Sequence, residues 1–223
     1  FTLLGLQVLV TQTGNAGQGA SPWIKTEQTS IRLLTNVSAI GNSQNIQLGL
    51  QFKLEPGWKI YWRSPGDAGY PPRINWKRSE NLKKINFGWP LPVRFSVSGI
   101  QTIGYKKEVV FPISVTINDQ NERLKLRADL DYLACNEICI PYKAALSLDI
   151  PSGSAADRLS ENYRLINQYI EKIPGNGIIH KLKISGAETT GSFFEPKENI
   201  RKGFITIKTK SGVPYTKPDI FIE

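Results

Sequence analysis

The sequence predicts an all-β protein, a two-sheet antiparallel sandwich followed by a connecting helix and the start of a second β domain. Three observations carry this. From Ile24 to Ile150 short apolar runs recur with Gly, Pro and Asn turn signals between them, and no amphipathic helical pattern interrupts them. The clearest runs alternate with the period of a strand that has one buried face: Ile46, Leu48, Leu50, Phe52 and Leu54 in one, Leu124, Leu126, Ala128, Leu130 and Tyr132 in another. The chain also carries five tryptophans, large flat fillers that suit a core between two sheets. Short strands at this spacing point to an immunoglobulin-like sandwich.

Taken in order, "IRLLTNVSAI" ends at the turn Gly41-Asn42-Ser43, and "NIQLGLQFKL" ends at Glu55-Pro56-Gly57 before "WKIYW". "PRINWK", "KKINFGWP", "EVVFPISVTI", "RLKLRADLDYLAC" and "KAALSLDI" complete the strand set up to residue 151. The pattern then changes. Ser154 precedes Asp157 by three residues, as at a helix start, and Leu159, Tyr163, Ile166, Ile170 and Ile173 form one apolar stripe before Pro174-Gly175. Residues 152–175 are therefore read as a helical connector. "IIHKLKI", "GFITIKT" and "DIFIE" read as strands again, so 176–223 is expected to be the truncated beginning of a second β domain.

Residues 1–20 have a different character. The apolar run Phe1 to Val10 is too short to span a bilayer, and it leads through polar residues to Gly17, Gly19 and Ala20. This is the pattern of the second half of a secretory signal peptide with cleavage near Ala20, and it predicts an exported protein in an oxidising compartment. The net charge is +9. Its lysines and arginines are dispersed and mixed with acids, as in "KRSENLKK" and "YKKE", with no nucleic-acid motif, which describes a solvated surface.

The chemistry is expected in "LACNEICIPY", which holds the only two cysteines, Cys135 and Cys139. A bond between them closes a ring of five residues, worth about 2 kcal/mol of loop entropy, little for a fold with a core of this size. The pair lies between two strand-like runs, on a loop that a partner can reach. A partner thiolate would attack one sulfur and the other would resolve the mixed disulfide. Glu137, between the cysteines, would raise a neighbouring thiol's pKa. A purely structural hairpin disulfide is the competing reading. A metal site is a poor third, because two Cys, a lone distant His180 and no Met make neither a closed zinc set nor a thioether copper site. No Ser-His-Asp set and no Gly-rich phosphate loop is present, and His180 reads as a surface or packing residue.

Four ordered blocks, "GWKIYWRSPGDAGYPPRINW", "WPLPVRF", "GYKKEVVFPISV" and "LDYLACNEICIPYKAALSLDIP", resemble the N-terminal periplasmic domain of the thiol:disulfide interchange protein DsbD family, nearest its ScsB-like branch. The resemblance covers about residues 22–151. It implies an immunoglobulin-like exchange domain without organic cofactor or metal, one part of a larger protein-disulfide reductase held in the inner membrane. Such a domain takes electrons from a membrane-embedded, cysteine-containing reductase domain and passes them to periplasmic thioredoxin-like proteins.

By position Cys135 and Cys139 match the exchanging pair, with Cys139 favoured for the mixed disulfide. Tyr61, Arg63, Asp67, Tyr70, Tyr105 and Glu137 are the expected docking or shielding residues, and Trp62 is expected in the core. The stretch matching the family's shielding cap, Phe95 to Tyr105, lacks its aromatic pattern, and the cysteines are three residues apart where DsbD has five. The alternatives are an exported, non-enzymatic β-sandwich binding module and a copper-tolerance accessory domain.

Overall fold

Alternation in the sequence becomes two sheets facing each other. A computed structural model of the chain describes residues 19–97, 99–153, 159–175, 183–195 and 200–212. Two compact units meet at Ile173 and Pro174. The described part of the first unit contains β1 (Ile24–Lys25), β2 (Thr29–Thr35), β3 (Asn45–Leu54), β4 (Lys59–Gly66), β5 (Arg73–Asn75) and β6 (Leu82–Phe87). It continues with β7 (Val93–Val97), β8 (Ile100–Lys106), β9 (Glu108–Ile117), β10 (Leu124–Cys135), β11 (Cys139–Ile150) and the helix α1 (Tyr163–Ile170). In the second unit β12 (Lys183–Glu195) and β13 (Ile200–Lys210) pair as an antiparallel hairpin.

One sheet runs β1-β2-β3-β9-β6; the other runs β11-β10-β4-β8-β7, with β5 added beside β10. All the pairings are antiparallel, in the manner of an immunoglobulin-like sandwich. The predicted inward residues of β3 and β10 are buried, and Phe52 meets Phe111 and Tyr132 edge-on. The Tyr132 hydroxyl is satisfied inside by Thr29 Oγ1 at 2.6 Å.

The helix is shorter than its apolar stripe. Ser154 and Asp157 lie outside the described residues, and Leu159 is not helical: it bridges Val37 and is exposed. The backbone explains this. Ser160 N–H donates to the Asn36 carbonyl at 2.9 Å and the Ser160 hydroxyl donates to that of Thr35, which draws the segment into an extended path along β2. Helical geometry begins only after Asn162. Ile166 then packs with Ala20, Leu34 and Val110 on the outer face of the first sheet, where Gly49 leaves room for it. The stripe's last member, Ile173, lies beyond the helix and packs against Gly88.

The described residues begin at the end of the expected leader. Residues 1–18 lie outside the described residues, but Gly19 and Ala20 are built into the sandwich. The Gly19 carbonyl accepts from Thr35 N–H at 2.8 Å and from Asn162 Nδ2 at 2.9 Å, and Ala20 bridges Leu34. His180 and "DIFIE" also lie outside the described residues.

Candidate functional site

The β10–β11 ladder runs without interruption from Leu124 opposite Ile150 to Cys135 opposite Cys139. The two cysteines are therefore the last cross-strand pair of a hairpin, and their sulfurs are bonded, with Cα atoms 4.1 Å apart. Asn136 N–H donates to the Ile138 carbonyl at 2.9 Å and closes the turn. Asn136 also sits against Gly57, whose φ of +84° and lack of a Cβ let the Glu55–Trp58 turn approach the ring.

Alternation decides which way the pair faces. Leu124 through Ala134 place their even-numbered side chains in the core, so Cys135 belongs to the opposite, outer face of its sheet. It is nonetheless fully buried, because β10 has neighbours on both edges at this point: Cys139 of β11 on one side and Lys59 of β4 on the other. Cys139 starts the edge strand β11 and is exposed, as are Glu137 and Ile138. One sulfur is open to a partner and the other is enclosed.

Tyr61 lies two residues along β4 from Lys59, on the same outer face, and is 2 % exposed. Its hydroxyl oxygen is 3.8 Å from Cys139 Sγ. Burial raises the Tyr61 phenol above the ordinary tyrosine range, so at neutral pH it keeps its proton and can donate to sulfur. The segment after β4 folds back over this ring: a Cβ on Gly69, where φ is +93°, would come within 2.3 Å of Tyr61 Cζ. Tyr70 ties the segment down by donating to Asp131 Oδ1 at 3.3 Å, with the Arg73 guanidinium over its ring. Tyr61 thus lies under Gly69 and beside the exposed sulfur.

The other expected docking or shielding residues divide. Arg63 and Asp67 are exposed; Arg63 stacks on the buried Trp62, and Asp67 N–H donates to the Gln101 carbonyl at 3.0 Å. Tyr105 presents no docking surface. It is 6 % exposed, its ring meets Phe111 at right angles and its hydroxyl donates to the Pro90 carbonyl at 2.8 Å. Burial drives its phenol far above the usual range. The reason is parity: Tyr105 pairs with Ile60, which points into the core, whereas Gly104 pairs with Tyr61 on the outer face.

The stretch from Phe95 to Tyr105 is mostly strand, the hairpin β7–β8 at the far edge of the sheet, and its one described aromatic on the outer face, Phe95, receives the Lys59 ammonium 4.9 Å from its ring centroid. Lys59 is the residue that sequence reading missed. The period-two pattern of "WKIYW" puts it on the same face as Tyr61, but only the β4–β10 register sets it beside Cys135.

Residues 31–151, more than half of the chain, match the family model of the thiol:disulfide interchange protein DsbD, N-terminal. The chain belongs to this family. The DsbD N-terminal domain is a redox disulfide domain that uses no cofactor, and among the described residues no cluster of His, Cys, Asp and Glu could hold a metal ion. The fold is similar to the N-terminal periplasmic domain of ScsB from Proteus mirabilis, at TM-score 0.59 and 24% identity, over 88% of this chain and 87% of that one. The reduced DsbD N-terminal domain of Neisseria meningitidis aligns more weakly, at TM-score 0.31 and 17% identity over 55% of this chain and 84% of that one. No curated protein matches the chain. Among the described residues no helix is long and apolar enough to cross a membrane.

Proposed function

We propose that this DsbD-type domain is a periplasmic electron relay. It would take electrons from a membrane-embedded, cysteine-containing reductase domain and deliver them to periplasmic thioredoxin-like proteins, as one domain of a larger protein-disulfide reductase anchored in the inner membrane. The observation that carries the reading is the asymmetry of the pair, with Cys139 exposed on an edge strand and Cys135 enclosed behind it.

In the accepting step a donor thiolate attacks Cys139 Sγ. The new bond joins donor and Cys139, the Cys135–Cys139 bond breaks, and its electron pair leaves on Cys135. The donor's second thiolate then attacks its own bonded sulfur and frees Cys139, so the donor is oxidised and the pair reduced. In the delivering step the Cys139 thiolate attacks the partner's disulfide, and Cys135 resolves the mixed disulfide by attacking Cys139. Tyr61 donates to Cys139 when that sulfur carries the charge, and the 66–72 segment restricts its approach. Arg63, Asp67, Tyr70 and Glu137 supply the polar rim on which a partner docks.

The test is trapping. Cys135→Ser removes the resolving sulfur and should accumulate a mixed disulfide through Cys139 with a thioredoxin-like protein whose own resolving cysteine is replaced and whose remaining cysteine is carried as a disulfide with an aromatic thiol, which leaves as the new bond forms. Cys139→Ser should trap far less. If neither variant forms an adduct and reduction unfolds the first unit, the bond is structural and the domain is a binding module.

A further inference from the structure

We infer that Lys59 is a positioning residue for the exchange, its ammonium serving as counter-ion to the Cys135 thiolate that is expelled when a partner attacks Cys139. This rests on the exchange reading above and adds to it a residue from a strand that carries neither cysteine.

The need for such a group follows from burial. Cys135 is fully enclosed, and a bare thiolate in an apolar site is strongly disfavoured, which would make Cys135 a poor leaving group. Lys59 stands directly opposite Cys135 in the β4–β10 pairing, and directly opposed residues hold their Cβ atoms about 4.5–5.5 Å apart on one face. Lys59 is itself 9 % exposed, an unusual place for an ammonium. Among the described residues no carboxylate pairs with it; the ammonium rests on the face of Phe95, and the lack of water lowers its pKa.

A charge held by a ring face while the disulfide is closed has a stronger partner once the bond opens. The four-carbon stem can swing the ammonium from Phe95 to Cys135 without moving the strand. Nearest on this face are Lys106 opposite Lys59, Glu137 in the ring and the Tyr61 phenol. Further along it stand Asp131 with Lys143 and Arg73 opposite, Tyr70 on Asp131, and Arg63 beyond Tyr61. These other cations, Arg63, Arg73 and Lys143, are exposed like Lys106. Glu137 and Asp131 would oppose a thiolate, and Lys106 is exposed to solvent, so Lys59 is the enclosed cation that favours it.

The experiment compares Lys59→Met, which keeps the stem, and Lys59→Arg, which keeps the charge, with Lys59→Gln as a second neutral variant. In a Cys139→Ser background the lone Cys135 thiol is titrated by thiolate absorbance near 240 nm. Its pKa should rise by about one unit or more in the neutral variants, about a tenfold loss of thiolate at pH below the pKa, and stay near the parent in Lys59→Arg. With both cysteines present, reduction of the disulfide by a small thiol should slow severalfold in the neutral variants and recover in Lys59→Arg, with unchanged tryptophan fluorescence of the oxidised forms. Identical Cys135 titration and reduction rates across the series would overturn the inference and leave Lys59 a packing residue. A parent disulfide that cannot be reduced without unfolding would overturn the exchange reading, and this inference with it.

Discussion

Reducing the Cys135–Cys139 bond should cost the first unit about 2 kcal/mol and leave it folded. The magnitude follows from the five-residue ring: constraining so short a loop removes little entropy from the unfolded chain. The native state loses no packing that depends on the bond. The ladder from Leu124–Ile150 onward is held by backbone hydrogen bonds, and Tyr132, Leu146, Leu148 and Ile150 are buried in the core, on the face opposite the bond, and should remain so when it opens. With a urea slope of about 2 kcal/mol/M, the midpoint should fall by about 1 M.

All five tryptophans (23, 58, 62, 76 and 89) lie in the first unit, so their fluorescence reads its unfolding separately from the second. The assay is a urea transition with and without a phosphine reductant, followed by reoxidation. A reduced form with no cooperative transition, or a loss above about 4 kcal/mol, would show that the bond holds the fold and would refute the reasoning.

Two further outcomes follow from the outer face. Gly69→Ala sets a methyl into the Tyr61 ring at a positive φ, so the segment should lift at a cost of about 1–3 kcal/mol, and Cys139 should be reduced faster by small thiols; an unchanged rate would show that the segment does not restrict access. Tyr61→Phe keeps the ring and removes the donor beside Cys139. Because burial raises the phenol and keeps it a donor at neutral pH, its loss should raise the Cys139 thiol pKa and slow exchange at neutral pH while changing stability by about 1 kcal/mol or less; equal pKa values in thiolate titrations of the two proteins would refute the contact's role.

The architecture was legible wherever one local rule decided the outcome. Strict alternation marked β3 and β10, and β3 spans the same residues as its apolar run. The pair at the end of "RLKLRADLDYLAC" was recognisable because nothing else in the chain offers sulfur chemistry. Local rules failed where a distant segment competed. The apolar stripe from Leu159 to Ile173 has helical spacing throughout, yet Leu159 bridges Val37 and Ser160 bonds to the Thr35 and Asn36 carbonyls at the end of β2 instead. Tyr105 was expected among the docking or shielding residues from its place at the end of the cap-like stretch, and parity against Ile60 sent it inward.

By itself the chain's order of residues determined the strand periodicity, the turn at Gly57 and the presence of a closely spaced sulfur pair, because periodicity, backbone freedom and thiol chemistry are properties of a few neighbouring residues. Which sulfur faces solvent, that Tyr61 stands beside it under Gly69, and that Lys59 stands opposite Cys135 were settled only when β4 and β10 came into register. Those two strands are far apart in sequence, and no local pattern encodes which residues of one will oppose which residues of the other.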